Sequence, residues 1–179
     1  MYPKELAINE KIKMRKIEKN IELEKLQKEL ALLNDVAIQD YLGFQKDNQK
    51  EAQHIIKNIE KGKNIYYFLY QEQKLIGIFY LYDIKEEYQR ANLSLGLIEA
   101  KRGHVLSMKM VRTLIEWLFS IGYNRLGLEI EDTNKESLKL AKHLEKIGFQ
   151  YEGKLRDNYG ININSNVWAL LKRDYQKEK

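Results

Sequence analysis

A polar turn followed by an amphipathic helix is the part of this sequence best suited to bind a charged ligand. Residues 99–104 form the turn and include Arg102 and Gly103, and apolar residues then recur at helical spacing from about Val105 to Ser120. The N-terminus of a helix presents unpaired backbone N–H groups and the positive end of the helix dipole, and both favour a phosphate. An ordinary strand-to-helix turn, in which Gly103 relieves backbone strain and Arg102 is solvated, would explain the same pattern.

The side chains that bind most catalytic metals are scarce. The 179 residues include no cysteine and only three histidines, His54, His104 and His143, which lack the spacing of a metal-binding motif. Disulfides, thiolate nucleophiles, iron–sulfur clusters and cysteine-ligated zinc are therefore excluded. The sequence predicts no metal site.

The charges are mixed along the chain. The formal net charge of +5 arises from 31 Lys and Arg against 26 Asp and Glu, and the two signs are interspersed. This pattern argues against a dedicated nucleic-acid binder, while the small positive excess suits a phosphorylated ligand. No apolar run approaches the ~18 residues that span a bilayer, and Met1–Glu5 lacks the apolar region of a secretory signal. We expect a cytoplasmic protein that does not cross a membrane.

Hydrophobic periodicity predicts a single α+β domain over residues 1–179. The chain contains one proline and no Gly- or Ser-rich linker, so no internal boundary is expected. The predicted strands are Lys11–Arg15, Ile65–Tyr70, Leu75–Leu81, Arg90–Ile98, Arg125–Glu131, Tyr151–Asn158 and Val167–Leu171. The predicted helices are Glu18–Asn34, a second from Asp47 or Asn48 to Gly62, Val105–Ser120 and Thr133–Ile147.

Two helix starts have the spacing of a capping box. Asn48 stands three residues before Glu51, and Thr133 three residues before Glu136. The leucine stripe of the first helix is too short for a dimerising coiled coil and predicts packing within the chain. The sequence leaves the oligomeric state open between a monomer and a homodimer.

Three stretches that cover more than half of the chain carry a recognisable order of motifs. They are Ala91–Ser107 running into Glu116–Phe119, Asn124–Ser137 with Gly148–Phe149 and Glu152–Arg156, and Val167–Tyr175. Together they resemble the GNAT superfamily of N-acetyltransferases, in particular the branch that acetylates ribosomal-protein N-termini. The resemblance implies a three-layer α+β fold, with a mixed and partly splayed sheet of about six to seven strands and helices on both faces.

The resemblance also implies acetyl-CoA as co-substrate, bound between splayed strands around Leu97 and Leu128. The family's pyrophosphate loop has the form Arg/Gln-x-x-Gly-x-Gly/Ala and falls on Arg102–Ser107. Arg102 matches the first position, whereas Val105 and Ser107 replace the small residues of the motif. The implied coenzyme-binding residues are Leu97, Ile98, Arg102, Gly103, His104, Val105, Leu106, Ser107 and Asn134.

The helix after the motif asparagine differs in length from the family's. The distance from Asn134 to Gly148 exceeds the usual one by nearly one helical turn. Either the helix is longer and Asn134 with Ser137 still meets the coenzyme, or Ser137 takes the place of the asparagine. We favour the longer helix, because the Thr133–Glu136 pair marks a helix start there.

The family chemistry needs an oxyanion donor, a base and an acid. The donor is a backbone N–H, which here would lie in Leu95–Ile98. Glu129 and Glu131 share one face of their predicted strand, and Glu129 is the candidate base. Either carboxylate could instead be a solvated surface group.

The acid that protonates the leaving thiolate is less defined. Many relatives use a tyrosine four residues before the glycine of the Gly-Phe pair, and this chain has Leu144 there. Ser137 is the candidate substitute, with His143 as a second choice. We therefore expect an acetyl-CoA-dependent N-acetyltransferase that acts on a protein N-terminus or a small amine. The alternative is a catalytically impaired GNAT-like domain that binds coenzyme or another protein, which Val105, Leu144 and the longer helix favour.

Overall fold

The structure of the chain is a computed structural model that describes residues 2–33, 47–101 and 104–175. In these ranges the helices are α1 (Leu23–Leu32), α2 (Asn48–Glu60), α3 (His104–Ser120) and α4 (Lys135–Leu144). The strands are β1 (Glu5–Ala7), β2 (Ile12–Lys16), β3 (Ile65–Gln71), β4 (Lys74–Lys85), β5 (Arg90–Leu97), β6 (Arg125–Glu131), β7 (Gln150–Gly160) and β8 (Ile163–Leu171).

The described strands are hydrogen-bonded in the order β1-β2-β3-β4-β5-β6-β8-β7. The β5–β6 pair is parallel, whereas β1–β2, β2–β3, β3–β4, β6–β8 and β7–β8 are antiparallel. The predicted α+β class with a mixed sheet is confirmed, but the described part of the sheet has eight strands rather than six to seven. The sequence did not predict β1, because a strand of three residues is too short to show alternation.

The chain forms two compact units. The first comprises Met1–Ile84 and Ser94–Met110, and the second comprises Lys85–Leu93 and Val111–Lys179. The end of β5 belongs to the first unit and its beginning to the second. The single domain over residues 1–179 stays a prediction.

The core of the first unit forms where α1 and α2 pack on β3 and β4. Leu26 and Leu30 of α1 are buried together with Ile55 of α2 and with Phe68 and Ile78 of the two strands. The leucine stripe thus packs within the chain, as predicted. Burying such side chains stabilises the fold by about 1.5–3 kcal/mol each.

The strands β3 and β4 form a hairpin. Gln71 pairs with Lys74, and the two residues between them, Glu72 and Gln73, have φ angles of 49° and 70°. Two consecutive left-handed residues are typical of the type I′ turn, whose twist matches that of the flanking strands. Neither residue is glycine, so the pairing of β3 with β4 must offset the strain of the turn.

Both predicted capping boxes are wrong by one residue. The carboxylate of Asp47, not the Asn48 side chain, accepts hydrogen bonds at the start of α2, from the N–H groups of Gln49 (2.9 Å) and Lys50 (3.2 Å). At the start of α4 the capping residue is Asn134. A Ser, Thr, Asp or Asn at either of two neighbouring positions gives nearly the same sequence signal, so the pattern places the cap only to within a residue.

In the second unit, β6 pairs on both sides. Residues Arg90–Asn92 of β5 pair with Arg125–Gly127, and the whole of β6 pairs with β8 from Leu171 back to Ser165. The outer strand β7 follows β8 with register shifts between Tyr151 and Gly153 and between Leu155 and Gly160. These shifts mark β-bulges or irregularities, which bend a strand and change where its side chains point.

Gly148 ends the segment that follows α4, with a φ of 106°. A Cβ atom there would also overlap the backbone carbonyl oxygen of Asp174. Phe149, the next residue, is 2% exposed. The Gly-Phe pair therefore joins a left-handed helix end to a buried phenylalanine.

We expect Gly148→Ala to lower the free energy of unfolding by about 2–4 kcal/mol, because left-handed strain adds to an overlap with backbone. Gly122→Ala is the matched control, since Gly122 has a φ of 109° and nothing within 4 Å of the added Cβ. Strain alone should lower its unfolding free energy by about 1–2 kcal/mol. Urea denaturation of both variants measures the difference, and equal losses would show that the overlap with Asp174 costs nothing.

Candidate active site

The candidate base lies on β6. Side chains alternate along this strand, so Glu129 and Glu131 share a face with Gly127, while Leu126 and Leu128 point to the opposite side and are buried. Glu129 is half-buried. A carboxylate in that environment needs hydrogen-bond donors to remain charged at low cost.

Two asparagine side chains supply those donors. The Asn92 amide nitrogen lies 3.5 Å from Oε1 of Glu129, and the Asn158 amide nitrogen lies 3.0 Å from Oε2. The Asn158 amide also donates to Oγ of Ser165 over 2.9 Å. Ser165 is 0% exposed, so a fully buried hydroxyl takes part in the cluster.

Gly127 makes room for one of these donors. Asn92 of β5 is the register partner of Gly127, and a Cβ atom on Gly127 would overlap the Asn92 side-chain oxygen. The Asn92 side chain therefore lies across the missing side chain of Gly127 and continues towards Glu129, two residues further along the same face. Glycine inside a strand often marks such a close approach.

The irregular part of β7 carries the other donor. Asp157, which precedes Asn158, has a φ of 52°, and the register with β8 shifts between Leu155 and Gly160. The backbone N–H of Asp157 donates to Asn164 Oδ1 over 3.1 Å. The shift re-aims the Asn158 side chain across β8, where Ser165 lies, to Glu129 on β6.

The two carboxylates of β6 also affect the hydroxyl of Tyr159. Burial raises the pKa of Tyr159 to about 12, and the carboxylates of Glu129 and Glu131 add to the increase. The cause is physical: a tyrosinate would lose hydration and face two like charges. Tyr159 therefore stays protonated at every pH at which an acetyl acceptor would be tested.

Two predicted site residues meet at the start of α4. Oδ1 of Asn134 accepts a hydrogen bond from the backbone N–H of Ser137 over 3.0 Å. Thr133, the residue predicted to cap this helix, instead donates its hydroxyl to the carboxylate of Glu131. The helix runs to Leu144, which is 2% exposed, and a 3₁₀ turn continues to Ile147. Leu144 thus packs in the core.

The remaining predicted residues lie in the first unit. Leu97, at the end of β5, is 6% exposed, and the N–H of Ile98 donates to the carbonyl oxygen of Ile76 over 3.0 Å. Arg102 and Gly103 lie outside the described residues.

Residues 104–107 form the first turn of α3, as the predicted anion site requires. Of His104, Val105 and Leu106 the structure describes the backbone, which is helical, and Ser107 is half-buried. The helix starts at His104, one residue before the predicted start.

The described residues, 2–33, 47–101 and 104–175, contain no group of His, Cys, Asp and Glu side chains arranged to hold a metal ion. Over the same ranges, no helix is both long and apolar enough to cross a bilayer.

A family model matches residues 12–150, and its description is "Acetyltransferase (GNAT) domain". The match covers most of the chain and includes β6 with Glu129 and the Asn134–Ser137 helix start. The chain belongs to the GNAT acetyltransferase family. This GNAT protein is therefore an acetyl-CoA-dependent N-acetyltransferase, and acetyl-CoA is its co-substrate.

Solved structures agree with the GNAT fold. One is RimL, a ribosomal L7/L12 alpha-N-protein acetyltransferase, with 16% identity, a TM-score of 0.76 and 93% coverage of both chains. An acetyltransferase from Salmonella typhimurium that modifies the N-terminal serine of ribosomal protein L7/L12 has 16% identity and a TM-score of 0.77, with 93% of this chain and 98% of that chain covered. RimL in complex with coenzyme A has 16% identity and a TM-score of 0.72, with 93% of this chain and 97% of that chain covered. No curated protein sequence matches this chain.

The sequence suggests Glu129 as a candidate base but does not predict the groups that surround it. The donors Asn92 and Asn158 are 37 and 29 residues away from it in the chain, so no local spacing connects them. The only local signal was Gly127 inside an otherwise apolar and charged strand, which indicates that another group comes close. The residue that does so can be found only from the pairing of β5 with β6.

We expect the pKa of Tyr159 to fall from about 12 when Glu129 or Glu131 is replaced by Gln, and the larger part of the increase, which is due to burial, to remain. The measurement is a pH titration by NMR of protein labelled at the tyrosine ring carbon that bears the hydroxyl. Tyr159→Phe assigns the signal. A Tyr159 signal that titrates near 10 in the unaltered protein would contradict the placement of its hydroxyl.

Proposed function

We propose that the protein transfers the acetyl group of acetyl-CoA directly to a primary amine, on a protein N-terminus or a small amine, and that Glu129 is the general base. The observation that carries this proposal is the half-buried carboxylate of Glu129, with an amide donor at each oxygen, on the strand next to β5. Both oxygens retain further lone pairs, so the carboxylate can still accept a proton from an amine or from a water molecule.

The chemistry needs such a base, because an amine attacks a thioester only in its neutral form. A lysine-like amine with a pKa of about 10.4 is only ~0.05% neutral at pH 7, and deprotonating it costs about 4–5 kcal/mol, whereas a protein N-terminus with a pKa of about 7.7–8.0 costs roughly 1 kcal/mol. A carboxylate at the acceptor offsets part of this cost by taking the proton as the carbon–nitrogen bond forms. The absence of cysteine excludes a thiol acyl-enzyme, so direct transfer is the simplest route.

The proposed oxyanion donor is a backbone N–H of the segment Leu95–Ile98. At the end of this segment the Ile98 N–H donates to the carbonyl oxygen of Ile76, so using it for the oxyanion would break that hydrogen bond. A backbone donor of this kind stabilises the negative charge that develops in the transition state.

Each unit has one helix start that is a candidate for contact with the coenzyme. The first turn of α3 offers backbone N–H groups to the pyrophosphate, with Arg102 beside it in the sequence. In the second unit, Asn134 holds the Ser137 N–H, which fixes the first turn of α4. Ser137 is our candidate for the acid that protonates the departing thiolate, since Leu144 carries no proton.

The structural neighbours support a protein N-terminus as the acceptor. RimL acetylates the N-terminus of a ribosomal protein, according to its description, and a protein N-terminus is a primary amine. A small amine presents the same reactive group. Coenzyme binding without turnover on either class would instead favour the alternative function, a GNAT domain that binds coenzyme or a protein partner.

Replacing the proposed base tests this function directly. We expect Glu129→Gln to lower kcat by about a hundredfold to a thousandfold, as is typical for the loss of a general base, and to leave the acetyl-CoA Kd unchanged. Free thiol released from acetyl-CoA in the presence of N-terminal peptides and small amines reports the rate. Calorimetry reports the Kd.

Glu131→Gln is the matched control for this test, because Glu131 lies on the same strand face and carries the same charge. We expect it to keep kcat within a few-fold of the unaltered protein. An equal loss in both variants would show that strand charge, and not a base at residue 129, supports the reaction. Full activity of Glu129→Gln would refute the base assignment.

The pyrophosphate loop has its own test. We expect Arg102→Ala to weaken acetyl-CoA binding by about 1–2 kcal/mol if its guanidinium contacts a phosphate, while Lys101→Ala, one residue earlier, changes the affinity by less than half of that. Calorimetry at matched ionic strength measures both. Equal affinity of Arg102→Ala and the unaltered protein would remove Arg102 from the coenzyme site.

A further inference from the structure

We infer that Asn92 and Asn158 are positioning residues that hold the Glu129 carboxylate in one orientation for proton transfer. This inference rests on the proposed role of Glu129. The two side chains come from β5 and β7 and reach the two different oxygens of Glu129, over 3.5 Å and 3.0 Å. A carboxylate held at both oxygens has lost the rotation about its last bond, and that rotation would otherwise carry its lone pairs away from the acceptor.

The chemistry of the groups fixes which way both amides point. An ionised carboxylate only accepts hydrogen bonds, so each asparagine must turn its NH₂ group, and not its oxygen, towards Glu129. For Asn158 both amide hydrogens are used, one on Glu129 and one on the Ser165 hydroxyl. Because Ser165 is 0% exposed, the Asn158 amide is anchored to a rigid part of β8 although Asn158 itself is exposed.

The position of the other donor, the Asn92 amide, depends on the lack of a side chain at Gly127. The Asn92 oxygen lies where a Cβ atom of Gly127 would be, so the amide is confined between β5 and the bare backbone of β6. Any side chain at residue 127 would push the Asn92 amide out of that space. Gly127 therefore controls the orientation of Glu129 through Asn92, without contacting the carboxylate itself.

The inference predicts a loss of kcat without a loss of coenzyme affinity. We expect Asn158→Ala to lower kcat about tenfold to a hundredfold, the range for hydrogen bonds to charged groups, and Asn92→Ala, whose hydrogen bond is longer, by about threefold to tenfold. Asn158→Asp keeps the shape and removes the donor, and it should lose at least as much as Asn158→Ala. The matched control is Asn166→Ala, since this β8 asparagine bonds to Tyr151 and not to Glu129; its kcat should stay within twofold.

Gly127→Ala should reproduce the loss of Asn92→Ala, because the added methyl group displaces the same amide. In the double variant Asn92→Ala/Gly127→Ala, the methyl group has nothing left to displace, so kcat should equal that of Asn92→Ala alone. Additive losses would mean that Gly127→Ala acts by distorting β6, and the part assigned to Gly127 would be overturned. Thermal unfolding midpoints recorded for each variant separate reduced activity from reduced folding.

Double variants with Glu129→Gln decide whether the asparagines act through the carboxylate. If they do, Asn92→Ala and Asn158→Ala cause no further loss of kcat once residue 129 is Gln, whereas a general structural role would lower kcat by the same factor in both backgrounds. Equal factors in both backgrounds overturn the positioning role. So does full activity of Asn158→Ala and Asn158→Asp while Glu129→Gln is impaired, and the proposed function then stands. Full activity of Glu129→Gln instead overturns the base assignment on which the inference rests.

Discussion

A carboxylate that is half removed from water must find hydrogen-bond donors, and this requirement organises the second unit. Glu129 accepts one hydrogen bond from a residue of β5 and one from a residue of β7. The position of each donor depends in turn on one further residue. Asn92 requires a position without a side chain, which Gly127 provides, and Asn158 requires a second acceptor, which Ser165 provides. Leaving a charged group without such partners would cost more free energy than most single contacts contribute, so these four residues and Glu129 form one arrangement.

The sequence predicts the elements well where burial repeats with a fixed period. The buried face is predictable where a pattern extends over many residues. Examples are the stripe with Leu26 and Leu30 in α1 and the alternating residues of β6. The strand β1 has only three residues and shows no such pattern. The helix caps at Asp47 and Asn134 depend on which of two neighbouring side-chain oxygens reaches a backbone N–H, and the sequence does not distinguish the two positions.

The site is less predictable for the same physical reason. The family resemblance suggests the Asn134–Ser137 helix start, and the spacing along β6 places the carboxylates of Glu129 and Glu131 on one face. The partners of Glu129 depend on strand order and on a register shift in β7, and neither can be read from local sequence. In the proposed direct transfer this cluster would act in a single step, because without a cysteine the chain has no thiol acyl-enzyme with which to divide the reaction into two steps.

The irregularity of β7 has a second effect, which concerns self-association. β7 is the last strand in the hydrogen-bonding order, and a long, flat outer strand is a template on which another chain can add a strand. The register shifts around Gly153 and Asp157 interrupt its row of backbone donors and acceptors, and Lys154 and Arg156 place charge between them. The bend that brings Asn158 to Glu129 therefore also protects the open edge from edge-to-edge aggregation, so that straightening β7 would both disrupt the proposed acetyltransferase site and expose the protein to aggregation.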